Sequence, residues 1–171
     1  MADLYVMCGC PGAGKSTFIQ KYLNKENMVI VSRDEIRFSL LQPNEDYFSH
    51  EGEVLNKLWE KTNTALSQGK NVVVDQTSLT PKSRRWLLSH IHGYDTVKLI
   101  WIDEDIFTCL ERNEKRKGTK SYVPRGKIRR MHEQFVEPTL DEGFNTIFKY
   151  NSKKGWVVLD ELVLIRFTPE S

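Results

Sequence analysis

Short apolar runs recur along the chain, and longer amphipathic stretches separate them. The apolar runs are LYVMC at 4–8, MVIV at 28–31, NVVVD at 71–75 and VKLIWI at 97–102. Runs this short and this uniformly apolar are typical of parallel strands that are buried on both faces. Because helical patterns fill the intervals, the alternation predicts an α/β fold with a parallel sheet flanked by helices.

The amphipathic stretches carry helix start and stop signals. Gly69 follows the third stretch as a C-terminal stop, while Thr80 and Pro81 supply an N-cap and a first helical residue for the fourth. The predicted helices cover residues 15–23, 34–41, 51–67, 81–91, 105–116 and 124–137.

The tail at about 146–168 breaks this alternation. Its two apolar segments, TIFKY and WVVLDELVLIRF, are separated by the turn-forming NSKKG, which favours a hairpin or an edge strand. An extra pair of strands in the same domain is the first interpretation, and a contact in a homo-oligomer is the second. A length of 171 residues is close to the usual size of one domain, so we expect a single domain over 1–171.

Composition narrows the possible partners. A net charge of +2 is too small to make the molecule a polycation, so any attraction for nucleic acid must come from a local cluster. No apolar stretch is nearly as long as a membrane span, which needs about 18 residues. The N-terminus lacks a leader pattern, so we expect a cytoplasmic protein without membrane contact. The cysteines at 8, 10 and 109 follow no metal-ligand spacing and are expected to be reduced and structural.

The string GCPGAGKST at 9–17 lies between a predicted strand and a predicted helix and fits the pattern G-x-x-x-x-G-K-[ST]. Its glycines let successive N–H groups point at phosphate oxygens, with the helix N-terminus behind them. Lys15 is placed to reach the β- and γ-phosphates of ATP, and the Ser16 hydroxyl suits Mg²⁺. The predicted nucleotide-binding residues are Gly9, Gly12, Ala13, Gly14, Lys15, Ser16 and Thr17.

A phosphate loop alone does not identify the phosphate acceptor. The guanine-reading motif N-K-x-D is absent, since the nearest string, NKEN at 24–27, ends in the wrong residue. Large ATPases usually need a longer chain. The pattern therefore favours a small kinase.

Charged residues follow the second predicted strand, at the edge of the sheet where ligands of open α/β sheets bind. Asp34 is placed to accept the proton of an attacking hydroxyl. Arg37, one turn later, could hold an anionic group of the acceptor. The alternative is that Asp34 only caps the helix.

Two further regions complete the candidate site. Asp75 closes the third strand and is placed to hold the hydration shell of Mg²⁺, although it could instead cap a turn. A basic segment at 112–130 contains a Gly-bearing stretch that predicts a lid at about 112–124. Arg112 and Arg116 are four residues apart, so both could approach the transferred phosphoryl group; a solvated basic face is the alternative.

The strings GCPGAGKST, SRDEIR, TSLTPKSRR and LERNEKRKGTKSYVP together resemble the kinase domain of phage-type 5′-polynucleotide kinases, within the wider group of small P-loop kinases. The resemblance implies the fold of adenylate-kinase-like proteins, with ATP and Mg²⁺ as cofactors and a 5′-hydroxyl end of DNA or RNA as the acceptor. It also implies that Asp34 is the general base, that Arg37 contacts an acceptor phosphate, and that Lys15, Arg112 and Arg116 stabilise the transferring group.

The sequence departs from this family at two points. Lys117 stands as an insertion beside the second lid arginine, and no D-x-D-G-T phosphatase motif is present, so we expect no phosphatase activity. Two other functions stay open. One is a small-metabolite or sugar-nucleotide kinase, and the other is an ATP-binding interaction module without turnover.

Overall fold

A computed structural model describes residues 2–158, without the side chains of residues 156–158. Its single sheet has the strand order β2-β3-β1-β4-β5-β6. The first five strands are parallel to their neighbours, and β6 is antiparallel to β5. The predicted α/β fold is therefore confirmed. The strands are β1 Asp3–Cys8, β2 Met28–Ser32, β3 Asn71–Asp75, β4 Thr96–Ile102, β5 Thr146–Asn151 and β6 Gly155–Val158.

The centre of the sheet is apolar on both faces because helices cover both. Successive strand residues point to opposite faces, so Leu4 and Val6 of β1 contribute to one core cluster while Met7 contributes to the other. The first cluster includes residues of α3 and α4, and the second includes residues of α1, α5 and α6. The helices are α1 Lys15–Phe18, α2 Arg33–Leu40, α3 Glu51–Ser67, α4 Pro81–His90, α5 Ile106–Glu114 and α6 Arg125–Gln134.

The structure changes some predicted helix bounds. The single helix predicted over 15–23 is an α-helical turn that widens into a π-helical turn over Ile19–Leu23, where the Asn24 N–H donates to the Ile19 carbonyl at 2.8 Å. The helix predicted over 105–116 begins later because Asp105 is its N-cap and accepts from the Thr108 N–H at 2.8 Å. The helix predicted over 124–137 ends at Gln134, since Phe135 is extended and packs against Trp101.

The tail belongs to the same sheet as far as residue 158. The β5 strand pairs with β4, and β6 turns back along β5, so the interpretation as an extra pair of strands is confirmed for this part. The rest of the predicted tail, up to about 168, lies outside the described residues. The single-domain assignment for 1–171 and the homo-oligomer stay predictions. Over the part that the structure describes, every helix is too short or too polar to cross a membrane.

Candidate active site

The phosphate loop lies at the carboxyl end of the central strand. It connects β1, which ends at Cys8, to α1, which begins at Lys15, so the strand and helix context of the motif is as predicted. The Gly9 N–H donates to the Thr77 carbonyl at 2.9 Å and ties the loop to the segment after β3. The phosphate loop and the segment that follows β3 therefore lie side by side at the carboxyl edge of the sheet.

Glycine is required at position 12 because the loop packs directly against α5. A Cβ atom there would lie 2.5 Å from the backbone oxygen of Cys109, and the φ of Gly12 is +83°. Gly14, the residue before α1, is also left-handed, with φ 103°. The left-handed conformations of Gly12 and Gly14 therefore hold the loop in a tightly curled form, as a phosphate-binding loop requires.

Two cations contact the loop from different sides. The Lys15 ammonium donates to the carbonyls of Gly9 at 2.8 Å and Cys10 at 3.0 Å. Arg112 donates from Nη1 to the Ala13 carbonyl at 2.9 Å, and its Nη2 lies 3.8 Å from Oε1 of buried Glu104. The structure thus shows Arg112 as a support of the loop, and its action on the transferred phosphoryl group stays a prediction.

A cleft of about 310 Å³ opens beside the loop. It brings together Ser16 from the loop, Asp34 from α2, Asp75 from the end of β3 and Arg116 from the lid. These four residues were predicted from separate motifs. The other lining residues are Ile19, Gln20, Ile30, Ser32, Glu35, Phe38 and Ser121.

The lid is closed at its base by a side-chain amide. Asn113, which is fully buried, donates from Nδ2 to the Val123 carbonyl at 2.7 Å and accepts from the Val123 N–H at 3.0 Å. The turns between these positions carry Arg116 and Ser121 to the cleft. Residues 115–122 thus form a loop whose two ends are joined by Asn113 and Val123, and the function of 112–124 as a mobile lid stays a prediction.

Ser16 and Asp75 form a pair of oxygen ligands suited to Mg²⁺. The Ser16 hydroxyl donates to Oδ2 of Asp75 at 3.4 Å. Burial raises the pKa of Asp75, and the Lys15 charge opposes that effect. Mg²⁺ prefers one or two such ligands together with phosphate oxygens and water. The residues therefore fit this ion, although residues 2–158 contain no cluster of three or more His, Cys, Asp or Glu that could hold a metal alone.

Asp34 faces the cleft and is not the helix cap. Ser32 is the N-cap of α2, and its Oγ accepts from the Glu35 N–H at 3.2 Å, so the capping alternative for Asp34 is wrong. The Asp34 side chain is 57% exposed, which leaves it accessible to an acceptor. The Tyr47 hydroxyl donates to Oδ1 of Asp34 at 2.9 Å and fixes the orientation of the carboxylate.

Arg37 is buried within a network of carboxylates. Its Nη2 and Nε donate to Oε1 and Oε2 of Glu51 at 2.7 and 3.1 Å, and its Nη1 donates to Asp34 and to the Tyr47 hydroxyl. Arg33 also donates to Glu51, from Nε at 3.0 Å. An anionic acceptor group would have to compete with Glu51 for this guanidinium, and the predicted phosphate contact stays a prediction.

Sequence reasoning missed Tyr47 and Glu51. Tyr47 lies in a polar connection without helical or strand periodicity, and burial together with the nearby Asp34 charge raises its pKa. Glu51 has the pattern of an ordinary acidic residue in the first turn of α3. Both contact α2 only through the tertiary fold, so no local signal could have identified them.

The family model described as an AAA domain matches residues 4–138. The chain belongs to this family. The matched range contains the phosphate loop, Asp34, Asp75 and both lid arginines, so the candidate site falls entirely within the AAA domain, a P-loop kinase domain.

The relatives of this AAA domain are larger proteins or share only its fold. A relative from Acanthamoeba polyphaga mimivirus, named "Putative bifunctional polynucleotide phosphatase/kinase", is 27% identical over 85% of this chain and 32% of its own length. A chain of the Pnkp1/Rnl/Hen1 RNA repair complex is 23% identical, with a TM-score of 0.69 over 78% of this chain and 43% of its own. A sugar kinase from Janibacter sp. HTCC2649 is 15% identical, with a TM-score of 0.64 over 90% of this chain and 87% of its own. The chain therefore spans less than half the length of the first two.

Proposed function

We propose that the protein transfers the γ-phosphate of ATP to the 5′-hydroxyl end of DNA or RNA. The observation that carries the proposal is the shared cleft, which is lined by a carboxylate for the acceptor and by Ser16 and Arg116 for the donor. The mimivirus relative, whose name includes a polynucleotide kinase, supports the choice of acceptor. The motifs SRDEIR and RNEKRKGTKSYVP support it independently.

Asp34 accepts the proton of the acceptor hydroxyl in the proposed reaction. The hydroxyl oxygen attacks the γ-phosphorus, the bond from that phosphorus to the bridging oxygen of the β-phosphate breaks, and ADP leaves. Lys15 and Arg116 stabilise the negative charge that spreads over the transferred group. Tyr47 and Arg37 keep the Asp34 carboxylate aimed into the cleft.

Mg²⁺ would be held on the side of the cleft formed by Ser16 and Asp75, where it would neutralise phosphate charge. Lys15 lies close enough to Asp75 to oppose the rise in its pKa, so the two groups can share one phosphate chain. This arrangement leaves Asp34, which also lines the cleft, for proton transfer.

The direct test is transfer of label from γ-labelled ATP to a 5′-hydroxyl oligonucleotide. The Asp34→Asn variant should lose roughly 10²- to 10⁴-fold in kcat because it lacks the base, while its affinity for ATP stays near that of the wild type. Glu60→Gln, at an exposed carboxylate on α3, is the control and should leave both unchanged. Absence of transfer from the wild-type protein to any DNA or RNA end would overturn the proposal.

A sugar or small-metabolite kinase is the second candidate. Arg37 favours it, since its guanidinium is engaged by Glu51 and is not displayed to an anionic acceptor. A panel of sugars, nucleosides and oligonucleotides separates the candidates by kcat/KM. An interaction module without turnover would instead bind ATP and transfer phosphate to none of them.

A further inference from the structure

A second groove continues from the catalytic cleft. It measures about 460 Å³, and its lining includes Phe38 and Tyr47, the carboxylate of Glu45, and Lys120 of the segment between α5 and α6. Phe38 also lines the cleft that contains Asp34, so the two spaces adjoin. A molecule whose end reaches Asp34 can therefore extend past Tyr47.

An exposed aromatic ring stands next to this groove. Phe48 is 55% exposed, and its ring centroid lies 4.8 Å from that of Tyr47 in an edge-to-face arrangement. The Lys127 ammonium, from α6, lies over the Phe48 ring at 3.9 Å from its centroid and 5.0 Å from that of Tyr47, and the Arg37 guanidinium lies 5.8 Å from the Phe48 centroid. A base that stacks on Phe48 therefore uses the face of the ring opposite the ammonium. The groove is thus followed by a ring and a cation at the same place.

Both cations and carboxylates lie near Lys127. Desolvation lowers the pKa of Lys127, and the charges of Arg37 and Arg130 lower it further, while Glu51 and Asp34 oppose them. Within the part of the chain that the structure describes, Lys127 makes no ion pair of its own. A bound anion would supply the charge that this cluster lacks.

We propose that Phe48 and Lys127 form a subsite for the nucleotide next to the acceptor end, with the ring stacking on its base and the ammonium binding a backbone phosphate. The subsite rests on the proposed function and narrows its substrate class. A base can stack on Phe48 only when it has left its own helical stack, so the subsite favours a single strand or a frayed end, in which a second nucleotide can reach the ring. Ring and cation together match the base and phosphate of such a strand.

The test compares a single-stranded 5′-hydroxyl oligonucleotide with a nucleoside 3′-monophosphate, which has only the end nucleotide. Phe48→Ala should raise KM for the oligonucleotide about 5- to 150-fold, the range expected for loss of one stacked base. KM for the nucleoside 3′-monophosphate and for ATP should not change. Phe48→Trp, which keeps an aromatic face, should restore most of the oligonucleotide affinity.

Lys127→Gln tests the phosphate contact separately. Removing one phosphate contact should reduce the slope of log K against log salt for a single strand by about 0.7.

Phe107→Ala is the matched control for Phe48→Ala, because Phe107 is 75% exposed on α5 and lines neither the cleft nor the groove. It should leave every constant unchanged.

Three results would overturn the subsite while leaving the proposed function intact. They are an unchanged KM of Phe48→Ala for the oligonucleotide, an equal rise for both acceptors, and wild-type transfer that is no better on single strands than on blunt duplexes. Failure of the wild type to phosphorylate any nucleic acid would instead end the proposed function.

Discussion

The donor and acceptor sides of the cleft are built in different ways. On the donor side the chain folds locally, since residues 9–14 form one loop between β1 and α1, and the backbone supplies most of the contacts. On the acceptor side, Asp34 is oriented by side chains from α2, from the connection before α3 and from α3 itself. A backbone cradle tolerates many side-chain changes but few changes of shape. A site that is oriented by a side-chain network is instead sensitive to the replacement of single side chains.

Of the variants at Gly12, Glu51 and Asp75, Gly12→Ala should give the largest effect and confine it to the donor side. The new Cβ would lie 2.5 Å from the Cys109 carbonyl oxygen at a φ of +83°, so the loop or α5 must move. We expect ATP affinity to fall about 10- to 100-fold, in line with the 1–3 kcal/mol typical of overpacking. Calorimetric titration with ATP measures this.

Gly52→Ala is the control for that variant, because no heavy atom lies within 4 Å of a Cβ at Gly52. It lies in a helix, so it should bind ATP normally and be slightly more stable. Normal ATP binding by Gly12→Ala would show that the contact with α5 does not determine the conformation of the loop.

Glu51→Gln should give an intermediate effect and confine it to the acceptor side. Loss of this charge leaves Arg33 and Arg37 without their shared partner, so Arg37 is held mainly by Asp34 and Tyr47. We expect a loss of about 1.5–2 kcal/mol in stability, the lower part of the range for hydrogen bonds to charged groups. The kcat/KM for the acceptor should fall roughly tenfold, while KM for ATP stays constant.

Glu53→Gln is the matched change in the same helical turn, since this side chain is 53% exposed and its ion pair with Lys57 is 3.7 Å long. It should be neutral in both assays. An equal loss of ATP and acceptor affinity in Glu51→Gln would show that the two sides are not independent.

Asp75→Asn should give the smallest effect of the three variants, and it should stabilise the ligand-free protein where Glu51→Gln destabilises it. Burial raises the pKa of Asp75 above its unfolded value, so the ionised carboxylate destabilises the ligand-free fold above that pKa. The penalty disappears as the pH falls through the folded pKa. We expect a Tm gain of about 2–4 °C or less at neutral pH that shrinks on acidification. Thermal unfolding at several pH values measures it.

The same variant should lose part of the extra stability that Mg²⁺ and ATP give the wild type, because the amide is a poorer partner for a divalent ion. Asp105 is unsuitable as a control because its side chain caps α5, whereas an exposed acid such as Glu60 has no such role. A Tm below that of the wild type at neutral pH would assign Asp75 a structural role.

This contrast also decides what the sequence could predict. The strand and helix alternation and the phosphate loop depend on neighbours in the chain, and both appear where the pattern places them. The local geometry of a helix depends instead on tertiary packing, so the π-helical turn at Ile19–Leu23 was missed. Its wider turn buries Ile19, Tyr22 and Leu23, and such packing is decided by the sheet beneath it.

The candidate site divides in the same way. The positions of Asp34 and Asp75 in the cleft were predictable because both lie at the carboxyl end of a parallel strand, where ligand-binding residues collect. Glu51 was not predictable, since it reaches the site from a helix whose position depends on the whole core, and Lys127 was indicated only as a member of the basic segment at 112–130. Arg112 shows a further limit. Its spacing from Arg116 indicates a common helix face, but α5 ends at Glu114, and the two guanidinium groups then diverge.

The Asn113 side-chain amide joins both ends of the lid, so the residues between them form a self-contained insertion. Residues 115–122 attach to the rest of the protein through one neck, so their length and charge can vary while β4, α5 and α6 keep their positions.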